Sequence, residues 1–280
     1  ETMAQRMIEL ARDAKLRSRL GCAIYEKVKA EFSVEAMGKR QEEIYRSVLN
    51  RKYRAEQGRD GVVICGAYGK GNAGDDAILV SMIRQLREQD PDLPITVMTR
   101  KPRQTAVQTG VSTVHIFNIA AAGRVMKRSQ LYISGGGSLI QDVTSRRSLW
   151  FYLHNIHAAK KAGCKVQMYG CGIGPVTREN HRNLAAKVLN KSVDVITLRE
   201  PDSLDELKSM GVTKPEILLT ADPALTLNRA DDDKTDSVML RANIPSRGKY
   251  VCFALRKWKG FEEKAPLFGT AAKYAYETYG

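Results

Sequence analysis

No run of 18 apolar residues occurs anywhere in the 280-residue chain, so the sequence offers no membrane-spanning helix. Glu1, Thr2 and Met3 do not open a basic, then apolar, then small-residue pattern, so no signal peptide is read there. Cysteine is scarce. Cys22, Cys65, Cys164, Cys171 and Cys252 are odd in number and form no CxxC pair, which argues against a zinc site or a disulfide framework and for a reducing compartment. Histidine is scarcer still; His154 and His157 can share a helix face, but no third ligand is placed by spacing, and solvated helix histidines are the expectation. A G-x-S-x-G elbow, an H-E-x-x-H pair and a Walker lysine motif are all missing.

Charge of one sign is not scarce. The formal net charge is +14, spread along the chain rather than gathered into a stripe. That distribution suits small anionic substrates or an anionic membrane surface better than nucleic acid, and a plainly basic surface accounts for it equally well.

Three regions separate by pattern. Residues 1–50 carry no strand signal and read as two helices, with apolar side chains at Met3, Met7, Leu10 and Ala14, then at Ile24, Val28, Phe32, Met37, Ile44 and Val48. Gly21 is the expected break between them, and Ser33 is a candidate N-cap. Residues 51–60 are polar and read as a linker. From 61 to 228, short β-rich runs (62–65, 95–99, 113–117, 131–134, 166–169, 193–198 and 217–220) alternate with helical stretches such as 75–89, 147–162, 179–191 and 203–210. Alternation of this kind gives βαβ units with right-handed crossovers. The expected class is α/β, a doubly wound parallel sheet of Rossmann type. Residues 229–248 read as a second polar linker. A strand at 250–255 and a helix at 265–279 follow, too little to bury a sheet alone, so 249–280 read as an incomplete second α/β domain.

In an open α/β sheet, ligands bind beyond the carboxyl ends of the strands. The first strand runs into a loop containing Gly69, Gly71, Asn72, Gly74, Asp75 and Asp76, ahead of a helix whose free N–H groups can meet an anion. Gly69, Gly71 and Gly74 fit G-x-G-x-x-G, but that pattern is weak and the two carboxylates sit where a pyrophosphate would approach. Arg100 and Lys101 can meet a 2′-phosphate, which keeps an NADP-dependent oxidoreductase as a rival reading. The two aspartates can equally serve as helix-dipole compensation. A second loop carries Gly135, Gly136, Gly137, Ser138, Gln141 and Asp142, the last three able to hydrogen-bond a sugar. A third contains Gly172 and Gly174. Arg199 ends the next strand, either as a bidentate clamp for carboxylate or phosphate or as a surface arginine paired with Glu200 or Asp202.

Gly66-Ala67-Tyr68-Gly69 with Gly71-Asn72-Ala73-Gly74-Asp75-Asp76-Ala77-Ile78-Leu79 is followed by Ser134-Gly135-Gly136-Gly137-Ser138-Leu139-Ile140-Gln141-Asp142-Val143-Thr144-Ser145. Tyr169-Gly170-Cys171-Gly172-Ile173-Gly174-Pro175 comes next, and then Thr197-Leu198-Arg199-Glu200 with Ser203, Leu207, Gly211 and Val212. In this order they resemble the polysaccharide pyruvyl transferase family, from about residue 61 to 258, and most of all its cell-wall-polymer branch. The resemblance implies a glycosyltransferase-B-like fold of two facing Rossmann-type domains. It also implies phosphoenolpyruvate as co-substrate, a carrier-linked sugar as acceptor, a ketal-linked pyruvate as product, and neither cofactor nor metal. The cysteines place the expected site of action in the cytoplasm, and the spread charge leaves room for a peripheral contact at the inner face of the membrane, with no nucleic acid expected. Under the resemblance, Arg199 and Arg256 are the expected anion clamp and Asp75 or Asp76 the expected base. The remaining loop residues, Gly69 to Gly174, are the expected substrate contacts. The family's histidine and basic residue of the second domain have no counterpart here, so the proton donor is expected beyond residue 280 and this chain is expected to be inactive alone. A binding module that has lost its chemistry is the non-enzyme rival. Residues 1–50 resemble the C-terminal helices of family-4 glycosyltransferases, through Leu16-Arg17, Gly21, Val28, Phe32 to Met37, and Ile44-Tyr45, which implies a fused glycosyltransferase module.

Overall fold

The computed structural model describes residues 2–56, 58–244, 251–255 and 260–279. Two compact units are present, Glu1–Leu227 and Asn228–Gly280.

The chain opens with three helices, α1 (Thr2–Arg12), α2 (Ala14–Phe32) and α3 (Val34–Glu56), not two. The breaks fall at Asp13 and Ser33, where side chains cap the next helix: Asp13 accepts the Leu16 N–H at 2.9 Å and Ser33 Oγ accepts the Ala36 N–H at 3.1 Å. Gly21 lies inside α2; one glycine costs ~1 kcal/mol relative to alanine, too little to end a 19-residue helix. α3 runs on through most of the segment expected to be a linker, because its Arg, Lys, Ala and Glu residues are good helix formers.

The sheet follows. Its elements are β1 (Val62–Cys65), α4 (Ala73–Gln89), β2 (Ile95–Thr99), α5 (Pro102–Thr109), β3 (Ser112–His115), α6 (Ile119–Arg128), β4 (Leu131–Gly135), α7 (Arg146–Lys161), β5 (Lys165–Cys171), α8 (Glu179–Ser192), β6 (Val195–Leu198), α9 (Pro201–Ser209) and β7 (Glu216–Leu219). All seven strands are parallel, in the order β3-β2-β1-β4-β5-β6-β7. The α/β, doubly wound expectation therefore holds, with strand ends shifted by one or two residues. β1 is buried at every position because both faces are covered. Val62 and Ile64 pack with Ile78, Leu79, Met82 and Ile83 of α4, while Val63 and Cys65 join Leu149, Leu153 and Ile156 of α7 and Leu189 of α8. After β7, a 3-10 turn (Pro223–Thr226) packs on α4, where Ser81 donates to the Pro223 carbonyl at 2.9 Å.

In the second unit, α10 (Asp232–Arg241) replaces much of the expected second linker, because Asp231 caps it by accepting the Asp233 N–H at 3.0 Å. Residues 251–255 form no strand, and no described residue pairs with them; a strand without a partner leaves its backbone groups unmet. Tyr250 and residues 256–259, Arg256 among them, lie outside the described residues. α11 (Phe261–Tyr279) begins earlier than expected, with Glu262 and Glu263 in its first turn. Among the described residues no helix is long and apolar enough to cross a membrane.

Candidate functional site

β1 and β4 are neighbours, yet the chain leaves them toward opposite edges of the sheet, which opens a crevice beyond their carboxyl ends. Tyr68, wholly buried after β1, donates its hydroxyl to the Gly135 carbonyl at 2.7 Å and ties the two loops together. Burial pushes its phenol well above the ordinary value, so it stays a donor.

α4 starts in this crevice. Asn72 caps it, accepting the Gly74 N–H at 3.2 Å through Oδ1 and donating from Nδ2 to Asp75 Oδ2 at 2.8 Å. The other Asp75 oxygen lies against Gly137, where a β-carbon would come within 2.9 Å of it and where φ is +73°. Only glycine meets both demands at once. Burial raises the Asp75 carboxyl above 3.8, opposed by the Asn72 hydrogen bond and by Lys70; Asp76 adds to the rise and Arg199 opposes it. The two aspartates part company: Asp76 lines a different hollow, with Thr105, Gln108 and Thr109 of α5.

Arg199 leaves the end of β6 half-buried. Its NH1 donates to Asp222 Oδ2 at 2.8 Å and its Nε to Glu200 Oε2 at 3.3 Å. It is thus paired with Glu200, as one reading expected, but with Asp222 rather than Asp202. NH2 has no protein partner among the described residues and faces the β5 loop, 3.5 Å from where a Gly172 β-carbon would sit. That same β-carbon would lie 2.5 Å from both Ser138 Oγ and Glu200 Oε1. Gly172 is therefore the point at which the β4, β5 and β6 loops converge.

The β4 and β5 loops run side by side as an extension of the sheet. Gly172 N–H donates to the Gly137 carbonyl at 3.4 Å, Gly174 N–H to Ile140 at 2.7 Å, and Asp142 N–H to Pro175 at 3.3 Å, with Ile140 bridging Ile173.

Asp75, Gly135, Gly136, Gly137, Ser138, Gly172 and Arg199 are brought together. Other expected site residues are not. Gln141 turns into its own loop, accepting the Thr144 N–H at 3.0 Å and donating to the Thr144 hydroxyl. Asp142 is 8 % exposed and fully committed. Its Oδ1 accepts from the Thr177 N–H (2.8 Å) and hydroxyl (3.0 Å), and its Oδ2 contacts the Arg178 N–H (3.2 Å) and His181 Nδ1 (2.8 Å). It braces the entry to α8 rather than offering hydrogen bonds to a sugar. Gly69 rests against Thr99 at the end of β2, Gly174 against Glu206, and Gly71, Asn72 and Gly74 are exposed at the crevice rim. Arg100 stacks on Phe117, 5.1 Å from the ring centroid.

His154 is exposed on α7, and His157 meets Ser192 at 3.3 Å. Nothing in the spacing singles out His181, whose partner is 39 residues away. Among the described residues no group of three His, Cys, Asp or Glu side chains can hold a metal ion.

Comparison with known proteins gives one family. The family model described as polysaccharide pyruvyl transferase matches residues 72–268. No curated protein matches. Among solved structures, a homoserine dehydrogenase from Thiobacillus denitrificans shares 11% identity at a TM-score of 0.25. The match covers 58% of this chain and 30% of that one, and it carries no argument here.

Proposed function

The chain belongs to the polysaccharide pyruvyl transferase family, and from that premise we propose that it moves pyruvate from phosphoenolpyruvate onto two hydroxyls of a polysaccharide sugar, as a ketal. The observation that carries this reading is that the sheet switch point holds both Asp75, a carboxylate with raised proton affinity, and Arg199, whose NH2 is uncommitted among the described residues.

The chemistry asks for such a pair. The donor's methylene carbon takes a proton and becomes methyl, which leaves positive charge on the central carbon. A sugar hydroxyl oxygen bonds to that carbon and gives up its proton to a base. The carbon–oxygen bond to phosphate then breaks, and the second hydroxyl closes the ketal as its proton passes to the departing phosphate. Asp75 is assigned the base, since a carboxylate raised by burial holds a proton better than an exposed one. Arg199 is assigned the donor's carboxylate or phosphate, and Asp222 and Glu200 hold the guanidinium ready. The backbone at Gly137 and Gly172 lets substrate lie against the loops. The acceptor in this reading is a carrier-linked sugar, made by a fused glycosyltransferase module.

The test is thermal unfolding with phosphoenolpyruvate, beside phosphate release in the presence of acceptor. Donor at 100 times its dissociation constant stabilises by ~2.7 kcal/mol. Arg199→Lys keeps one charge but not the planar fork, so it is expected to abolish that shift while the unliganded melting point holds within a few degrees. A shift with NADPH and none with phosphoenolpyruvate overturns the assignment.

A further inference from the structure

α7 begins against the usual electrostatic rule. Its first two residues, Arg146 and Arg147, place two cations at the positive end of a helix dipole, and its first turn holds no acid. Both are exposed, and neither has an ion-pair partner among the described residues. One turn on, Trp150 is 55 % exposed and shares their face of the helix.

These three side chains and His181 line an open hollow of about 630 Å³. His181 is only 4 % exposed, yet it lines the hollow. Asp142 holds its Nδ1 at 2.8 Å, which fixes the ring, and the other ring nitrogen has no protein partner among the described residues. The floor is therefore a buried, oriented imidazole with one nitrogen free. Around it stand the side chains of Arg146, Arg147 and Trp150, at the start of α7. Cations that destabilise an empty helix end gain a favourable role when an anion sits over them.

We propose that this hollow is a binding site for a diphosphate ester. Arg146, Arg147 and the start of α7 hold the two phosphates, His181 completes the floor, and Trp150 covers the ring that the diphosphate carries. Each of the two guanidiniums can take one phosphate, and the hollow has room for both. The site shares no side chain with Asp75 or Arg199, so it does not rest on the assignment of the pyruvyl donor. A nucleoside diphosphate and a sugar diphosphate present the same chemistry, and the probes below separate them.

Calorimetric titration of the full chain with orthophosphate, inorganic pyrophosphate, uridine diphosphate and a sugar diphosphate tests this. Pyrophosphate is expected to bind more tightly than orthophosphate, and one of the two ring-bearing diphosphates more tightly again; which one identifies the source. The Arg146→Gln, Arg147→Gln double variant is expected to lose at least about tenfold in diphosphate affinity, since charge-assisted contacts are the strong ones. It should keep its phosphoenolpyruvate response and melt no lower than the parent, because a dipole conflict is relieved. Trp150→Ala should erase the advantage of the ring-bearing ligand and leave pyrophosphate unchanged. Arg199→Lys should do the reverse of the arginine pair, weakening phosphoenolpyruvate and not pyrophosphate. No saturable binding of pyrophosphate or of either ring-bearing diphosphate by the parent, or equal binding by the double variant, overturns the proposal.

Discussion

Asp142→Asn is the sharpest probe of how the crevice is braced. All four groups around this carboxylate are placed to donate: the Thr177 N–H and hydroxyl to Oδ1, the Arg178 N–H and His181 Nδ1 to Oδ2. A carboxylate accepts on both oxygens, whereas an amide accepts on one and donates from the other. The Thr177 hydroxyl can rotate and the imidazole can change tautomer, but a backbone N–H can do neither. Whichever way the amide turns, either the Thr177 or the Arg178 N–H faces another donor. An N–H left facing a donor in this part-buried position costs about 1 kcal/mol, and the surviving bonds lose their charge assistance, so about 2 kcal/mol is expected in all. For a domain of this size each kcal/mol moves the midpoint by roughly 2–4 °C, giving a fall of about 4–8 °C at neutral pH. The effect also has a pH signature. Hydrogen bonds from Thr177, His181 and Arg178 outweigh burial and hold the carboxyl at about 2, below the ordinary 3.8. Because the folded value is the lower one, the stabilisation is complete above 3.8 and disappears as pH falls through about 2. Melting curves of parent and variant, followed by circular dichroism from pH 7 downward, should converge across that interval. A neutral-pH gap below about 2 °C, or one that stays constant on acidification, refutes the reasoning.

Two further outcomes follow from the same geometry. Asp75→Asn is expected to lose about a hundredfold or more in turnover, as for removal of a general base. It should be no less stable at neutral pH, since burial already disfavours the charged form; a variant that keeps full turnover returns Asp75 to helix-dipole compensation. Tyr68→Phe strips the Gly135 carbonyl of a buried donor and should cost about 1–3 kcal/mol by denaturant titration, and an unchanged midpoint would show that the strap does not matter.

Much of the fold was legible because the central strands are buried on both faces and so read as short apolar runs. Val62, Val63, Ile64 and Cys65 leave no polar alternation to misread. The N-terminal helices divide at a side-chain cap and not at a mid-helix glycine: Asp13 sets a boundary, Gly21 does not. Asp75 and Arg199 are candidates under the rule that ligands meet strand ends, which needs only the strand assignments. Asp142 and His181 follow no such rule. Their meeting depends on β4 and β5 lying side by side, a pairing that local sequence does not encode. The same holds for Asp222, which reaches Arg199 from beyond β7.

The pairing of the two loops beyond β4 and β5 also fixes their length. Successive contacts from Gly137, Ile140 and Asp142 to Gly172, Gly174 and Pro175 act like teeth of a ratchet. One residue inserted on either side slides every later tooth by a position. A single insertion between Gly137 and Ile140 would carry Asp142 off the Thr177 and Arg178 N–H groups and leave His181 unsteered. Loops at the rim of a sheet ordinarily tolerate insertions. Here that freedom survives only outside the paired stretch, for instance after Asp142 and before Ser145. Variation that retunes what this crevice accepts must therefore come through side chains, or through matched changes in both loops at once.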